Sequence, residues 1–199
     1  EPYCIGKYEV TNRRMAEVLQ WAYDRDPSRL AASPSSVANA LGAERELLDL
    51  DAEEGCAIRF EEGVFSVSAG SASRPCAQIS WHGAAAYCNF LSRKEGLTPA
   101  YDWTDWTVVE GANGYRLPSV GQWRYAAGGG RDGEDTPYSG SVSLDEVAWH
   151  GGNAGGSGPR PVATKAPNEL GVFDMSGNVW EWCGNGGEAP RSILGGAWT

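Results

Sequence analysis

Two carboxylates, Asp174 and Glu181, bracket a Gly177-Asn178 pair in the stretch FDMSGNVWEWCGNGG, residues 173–187, and Glu181 itself stands between Trp180 and Trp182. Carboxylates together with the main-chain carbonyls that a Gly-Asn turn exposes make an oxygen-only donor set, the kind Ca²⁺ takes. The same residues have another use. A glutamate between two indoles can accept N–H bonds and pin the turn, which satisfies a buried charge without any ion. Residue types leave both readings open, and in either Trp180 and Trp182 are expected to be largely buried.

Other constellations are weaker. His82 and His150 are the two histidines, and neither has a serine or cysteine at a spacing that suggests nucleophilic catalysis. The five cysteines, Cys4, Cys56, Cys76, Cys88 and Cys183, form no C-x-x-C pair. Their odd number and wide spacing argue for free, partly buried thiols, with Cys56 and Cys76 as a pair able to bridge in an oxidising compartment. The glycine runs match neither a P-loop nor G-x-G-x-x-G, so they read as turn geometry rather than a phosphate cradle.

The bulk numbers agree with a binding or enzymatic globule more than with a nucleic-acid partner. Lys plus Arg is 16 against 26 Asp plus Glu, a net charge of -10, and no basic run exceeds two residues. An acidic balance suits a hard cation or simply a soluble surface. With 199 residues and 9 Trp and 8 Tyr, the chain can fill one substantial core, while 27 Gly and 11 Pro require that loops occupy much of its length. No stretch approaches the roughly 18 apolar residues of a membrane span. A first residue other than Met is what a removed export signal or tether would leave, so the expected location is extracellular or at the cell surface, with a lipid anchor upstream.

The elements that must carry these residues can be placed from pattern. Residues 3–10 alternate like a strand, and Thr11 caps a helix with Met15, Val18, Leu19 and Ala22 on one stripe. Residues 35–46 read as a short helix, and residues 56–70 as two strands turning at Glu62-Gly63. Ser80 opens the clearest helix, which has Trp81, Ala84, Ala85, Cys88 and Leu91 on one face and stops at Gly96; Cys88 is thereby a core thiol. Residues 114–130 give a short strand, a Pro-Ser helix start and a face of Val120, Trp123 and Ala127. Beyond Arg131 no helix is expected, only long ordered loops between short strands. The absence of a repeat or linker gives one α+β domain.

Taken together, IGKYEVTN (5–12), ISWHGAAAYCNFLSRKEGLTP (79–99), GYRLPSVGQWRYAAGGG (114–130), the run from Val147 to Cys183 that ends in GNVWEWC, and LGGAW (194–198) resemble formylglycine-generating-enzyme (sulfatase-modifying factor) domains, in the same order and over nearly the whole chain. That resemblance implies a C-type-lectin-like fold with few helices, short strands and long ordered loops. It also implies one domain over residues 1–199 with a C-terminal part lying outside them. The family's oxidases use a copper-binding cysteine pair downstream of GGxW, and Cys183 does not match it, so no catalytic residue is assigned. Its sulfoxide synthases bind iron through histidines of an additional helical domain that this sequence lacks.

A branch of the same family comprises the variable proteins of diversity-generating retroelements, of the treponeme surface-lipoprotein type. In these the segment from about GNVWEW onward is rewritten at adenines of a template while the scaffold stays fixed. Here the bulky continuation after WEWC is replaced by GNGGEAPRSILGGAWT. Gly184, Asn185, Gly186, Ala189, Ser192 and Thr199 are residue types reachable from an asparagine codon by changing its adenines, whereas Glu188 and Trp198 are not; they are also ordinary turn residues. The resemblance therefore implies a non-catalytic protein that presents those six positions to a macromolecular ligand, expected to be a protein, with the chain a monomer. The alternative is an oxidase or related redox enzyme whose active site lies outside residues 1–199. The resemblance also implies a Ca²⁺ site at Asp174, the carbonyls of Gly177 and Val179, and Glu181, and no organic cofactor.

Overall fold

The computed structural model describes residues 2–41, 45–51, 56–156, 158–184 and 191–199. Its elements are α1 (Asn12–Arg25), β1 (Leu30–Ala32), β2 (Ser36–Asn39), β3 (Glu46–Asp49), β4 (Ile58–Glu61), β5 (Val64–Val67), α2 (Trp81–Lys94), α3 (Val120–Ala127), the one-turn α4 (Leu144–Val147), β6 (Glu181–Cys183) and β7 (Ser192–Leu194). Three small antiparallel sheets result, in the orders β1-β2-β3, β4-β5 and β6-β7. The architecture is α+β, with short strands and long ordered loops.

Local chemistry starts the helices where the sequence places them. Thr11 and Ser80 accept from the N–H groups of Arg14 and Gly83, and Ser119 forms a capping box with Gln122. Met15, Val18, Leu19 and Ala22 are buried along α1, and Cys88 lies inside the core on α2. The β4-β5 hairpin turns at Glu62 (φ 49°) and Gly63 (φ 83°), a left-handed pair that matches the twist of the strands it joins. At the start of α2 the helix presses against β3. The Ser80 N–H donates to Leu47 O over 3.0 Å, and a Cβ on Gly83 would lie 2.0 Å from the same oxygen. Only glycine permits that approach.

Four expectations are corrected. Of residues 35–46, the described ones, 35–41 and 45–46, form no helix; β2 lies between β1 and β3 with Val37 fully buried, so strand pairing on both edges overrides helical propensity. Residues 114–117 form no strand, because side chains take their main-chain groups: Tyr115 N–H donates to Ser92 Oγ and Leu117 N–H to Tyr101 Oη. Residues 3–10 are likewise without strand pairing, although half-buried Tyr3, Ile5 and Glu9 still alternate with exposed Cys4 and Tyr8. One turn of helix, α4, does form beyond Arg131.

The larger hydrophobic cluster joins α1, α2 and β1 to β5 with Tyr101 and Trp106. A second cluster holds Trp123, Ala126, Val172, Met175 and Cys183. Strand β6 ties them together, since Trp182 packs on the first and Cys183 sits in the second. All five thiols are free, and all but Cys4 are buried. Burial pushes Cys88 up to about 12 and Cys183 up to about 11, so neither is a thiolate at neutral pH.

Asn89 shows how the larger cluster tolerates a polar group. It is fully buried, its amide donates to Tyr101 O over 2.8 Å, and its Oδ1 accepts from Tyr101 N over 3.0 Å. Asn89→Ala strands both Tyr101 main-chain groups and is expected to cost roughly 2–5 kcal/mol in denaturant unfolding, whereas substitution of exposed Val142 is expected to stay within about 0.5 kcal/mol.

Candidate functional site: a left-handed turn ringed by carboxylates

The Gly177-Asn178 turn is built from two left-handed residues, with φ of 80° and 60°. A Cβ on Gly177 would lie 2.3 Å from Trp149 O, so the close approach of the main chain at Trp149 fixes glycine there. Asn178 is fully buried and uses both ends of its amide. Its Oδ1 accepts from Arg160 N at 2.9 Å, and its Nδ2 donates to Glu9 Oε1 at 3.1 Å and to Arg160 O at 3.3 Å. Its main chain accepts from Trp198 N–H and donates to Trp149 O, while Gly177 N–H donates to Gly195 O.

Around this turn stand three acids. Asp174 is buried in a left-handed conformation (φ 60°), and its Oδ2 accepts from Ala163 N at 2.7 Å. Glu181 Oε2 accepts from the Trp123 indole N–H at 2.8 Å. Glu9 reaches in from the N-terminal segment to meet Asn178. Burial raises all three carboxyls: Glu181 to about 7, with the Asp174 charge adding to the effect, and Glu9 well above the usual range, with the Asp174 and Glu181 charges adding. Glu9 and Asp174 therefore lie near enough for each to bear on the other's ionisation.

Of the residues implied as a Ca²⁺ site, the structure brings Asp174, Gly177, Val179 and Glu181 onto one short segment. Asp174 Oδ1 and Glu9 Oε2 are buried with no conventional protein donor, and the Gly177 and Val179 carbonyls accept no main-chain hydrogen bond among the described residues. No three acidic, histidine or cysteine side chains among those residues converge closely enough to hold an ion by themselves. An ion here would therefore draw on carbonyls as well.

Glu9 and Trp123 are site residues that spacing alone does not reveal. A signal for Glu9 exists in the alternation of residues 3–10, which puts it on the same side as Tyr3 and Ile5. Trp123 is legible as the buried face of α3 but not as a donor to Glu181.

The two flanking tryptophans part company. Trp182 is half-buried and anchored by an indole N–H bond to Ile79 O at 2.9 Å. Trp180 is 54% exposed, which corrects the expectation that both are interred. It lines, with Tyr8, Val10 and Tyr115, a groove of about 760 Å³ between the N-terminal segment and α2.

The six positions expected to face a ligand also separate. Gly184 is buried and donates to Pro118 O over 3.1 Å, so it belongs to the frame and not to a displayed surface. Ser192 is half-buried in β7 opposite Cys183, beside exposed Ile193. Thr199 is exposed and runs against Gly151, away from that ladder. Asn185, Gly186 and Ala189 lie outside the described residues. Neither histidine acquires a serine or cysteine partner among them; His150 Nε2 lies 2.9 Å from Asp145 Oδ1, and its Nδ1 accepts from Gly152 N–H.

The sequence matches the family model described as the sulfatase-modifying factor enzyme 1-like domain over residues 1–198. It is 39% identical over 166 residues to the chaperone protein LppX of Paenibacillus barcinonensis, covering 63% of this chain and 59% of that protein. It is 27% identical over 203 residues to the formylglycine-generating enzyme of Thermomonospora curvata, covering 92% and 59%. The chain thus spans about three fifths of the length of these two curated relatives. The solved structure of Treponema denticola variable protein 1 superposes with a TM-score of 0.61 at 25% identity, covering 96% of this chain and 73% of that one.

The raised carboxyls have a measurable consequence. Folded Glu181 holds its proton up to about pH 7, whereas an unfolded glutamate releases it near 4.3. Its contribution is therefore fully present below the unfolded value and is lost as pH rises through 7. In chelator, wild type minus Glu181→Gln stability, followed by urea unfolding, is expected to fall steadily over that window.

Proposed function

Because this chain belongs to the family of sulfatase-modifying factor enzyme 1-like domains, whose C-type-lectin-like frame it shares, we propose that it is a non-catalytic ligand-binding protein displaying a diversifiable C-terminal surface. The observation that carries the reading is the anchoring of β6 and β7. Trp182 and Cys183 lock β6 into both hydrophobic clusters, while its partner strand β7 presents Ile193, 44% exposed, beside Ser192. A frame ordered before contact loses little entropy on binding, so side chains on it can change the partner without refolding the protein. The likeness to the treponeme variable protein over 96% of the chain supports the same reading. The proposal extends to a place outside the cell or on its surface and to a macromolecular, protein ligand.

The chemistry of the thiols fits a non-enzyme. Cys76, Cys88 and Cys183 are buried with raised pKa values, and none is poised as a nucleophile. The 27% identity to a formylglycine-generating enzyme favours the second reading, an oxidase with catalytic residues outside residues 1–199. Two experiments separate them. Sequencing the gene's surroundings should find a reverse transcriptase and a near-duplicate of the gene's 3′ end. Oxidation of a cysteinyl peptide by the copper-loaded full-length protein would instead establish the enzyme.

The proposal includes Ca²⁺ at the turn, held by Asp174, Glu181 and the Gly177 and Val179 carbonyls. Oxygen donors without protein partners suit a hard cation, and a divalent charge would relieve the crowding of Asp174 and Glu181. Bound Ca²⁺ would cross-brace the turn and leave the chemistry of the displayed surface to side chains. Adding CaCl₂ at pH 8 to chelator-treated protein is expected to raise Tm, with stabilisation of about 2.7 kcal/mol at a hundredfold excess over Kd. Asp174→Asn should remove most of that gain, and an unchanged Tm with the wild type would exclude the ion.

A further inference from the structure

Just before β7, at the N-terminal end of α2, one arginine is held in place by neighbours that carry no negative charge. Arg191 Nη2 donates to His82 Nε2 over 3.0 Å, and the guanidinium carbon lies 4.5 Å from the centroid of the Trp81 ring. His82 stands edge-on to Trp81 and Trp106, with centroids 5.5 and 5.2 Å away. Both indoles are buried. The shelf under the arginine is therefore part of the core and not a mobile surface.

The charge state of the shelf follows from donors and acceptors. A guanidinium has only donors, so His82 must offer a lone pair at Nε2 and carry its proton on Nδ1. Burial, with help from the Arg191 and Arg45 charges, holds the His82 pKa down to about 4. At neutral pH the imidazole fixes the guanidinium without cancelling it. Arg191 makes no ion pair among the described residues, unlike Arg14, Arg29 and Arg93. In a chain of net charge -10, an arginine ordered at both its face and one nitrogen, yet left with its full charge, is preorganised for an anion. A planar carboxylate matches the remaining edge of the fork.

We propose that Arg191, stacked on Trp81 and oriented by His82, is a carboxylate-binding site at the edge of the surface displayed by β7, with Arg45 adding positive potential. His82 acts as a positioning residue. The proposal rests on the reading of β7 as a recognition strand and gives its ligand a chemical class. An acidic peptide side chain and a uronic acid sugar present the same carboxylate.

The test uses the purified chain at constant ionic strength and follows the His82 ring signals by NMR while triglutamate or sodium glucuronate is added. A saturable shift with either probe is expected, and the probe that saturates at lower concentration identifies the source. Arg191→Gln should weaken it by at least about tenfold, and Arg191→Lys should recover only part because the fork is lost. His82→Phe, which keeps the aromatic packing but removes the acceptor, should weaken binding read from the Arg191 Nε–H signal. Arg191 is exposed, so thermal melts should be unchanged in its variants. No saturable shift with either probe, or equal binding by Arg191→Gln, overturns the site. A gene lacking a reverse transcriptase nearby would count against diversification and leave this binding result standing.

Discussion

The structure depends on one constraint, the left-handed Gly177-Asn178 turn. A side chain at the first position would collide with Trp149 O, and the amide at the second is fully buried and bonded to the chain at both ends. Four separate stretches of chain therefore meet there through main-chain or amide bonds: the N-terminal segment at Glu9, the segment at Trp149, the segment at Arg160, and the tail at Gly195 and Trp198. Buried polar groups with every partner supplied specify a single arrangement, because any slip leaves a donor or acceptor stranded. In a molecule with so little regular strand, such a knot does the work that a long ladder does elsewhere.

The same knot carries an electrostatic cost. Asp174 and Glu181 are drawn in by the turn, and Glu9 is drawn in by Asn178, so three acids share one poorly hydrated region. Each raises the cost of ionising another, as the upward shifts of Glu9 and Glu181 express. Trp123 opposes this at Glu181 by donating its indole N–H, and Ala163 N–H does so at Asp174. Protons relieve that crowding, as would the cation proposed above.

What was legible in the sequence was what short-range chemistry decides. The caps at Thr11, Ser80 and Ser119, the Glu62-Gly63 hairpin and the buried stripe of α1 follow from a few adjacent residues. The family frame was legible from GNVWEW and GGAW, because those strings encode the turn and its tail contact. What was not legible required partners far along the chain. Val37 became strand because β1 and β3 enclose it. Trp180 stayed exposed while Trp182, two residues on, donates to the distant Ile79 carbonyl. Gly184 was absorbed by Pro118, and Glu9 meets Asn178 across 169 positions. No local spacing announces that pair.

The tail gives the β6-β7 ladder a further property. Cys183 faces Ser192 in the ladder, and only three residues beyond it Gly195 and then Trp198 are tied to the central turn. Gly184, bonded to Pro118, and Arg191, stacked on Trp81, are thus two ends that the frame fixes independently, with six residues of sequence between them. Closing a longer span between fixed ends costs little, about 0.6 kcal/mol for each doubling of its length. The protein can therefore accept insertions and deletions there as readily as substitutions, and descendants of one scaffold should differ in how far that span reaches as well as in what it carries.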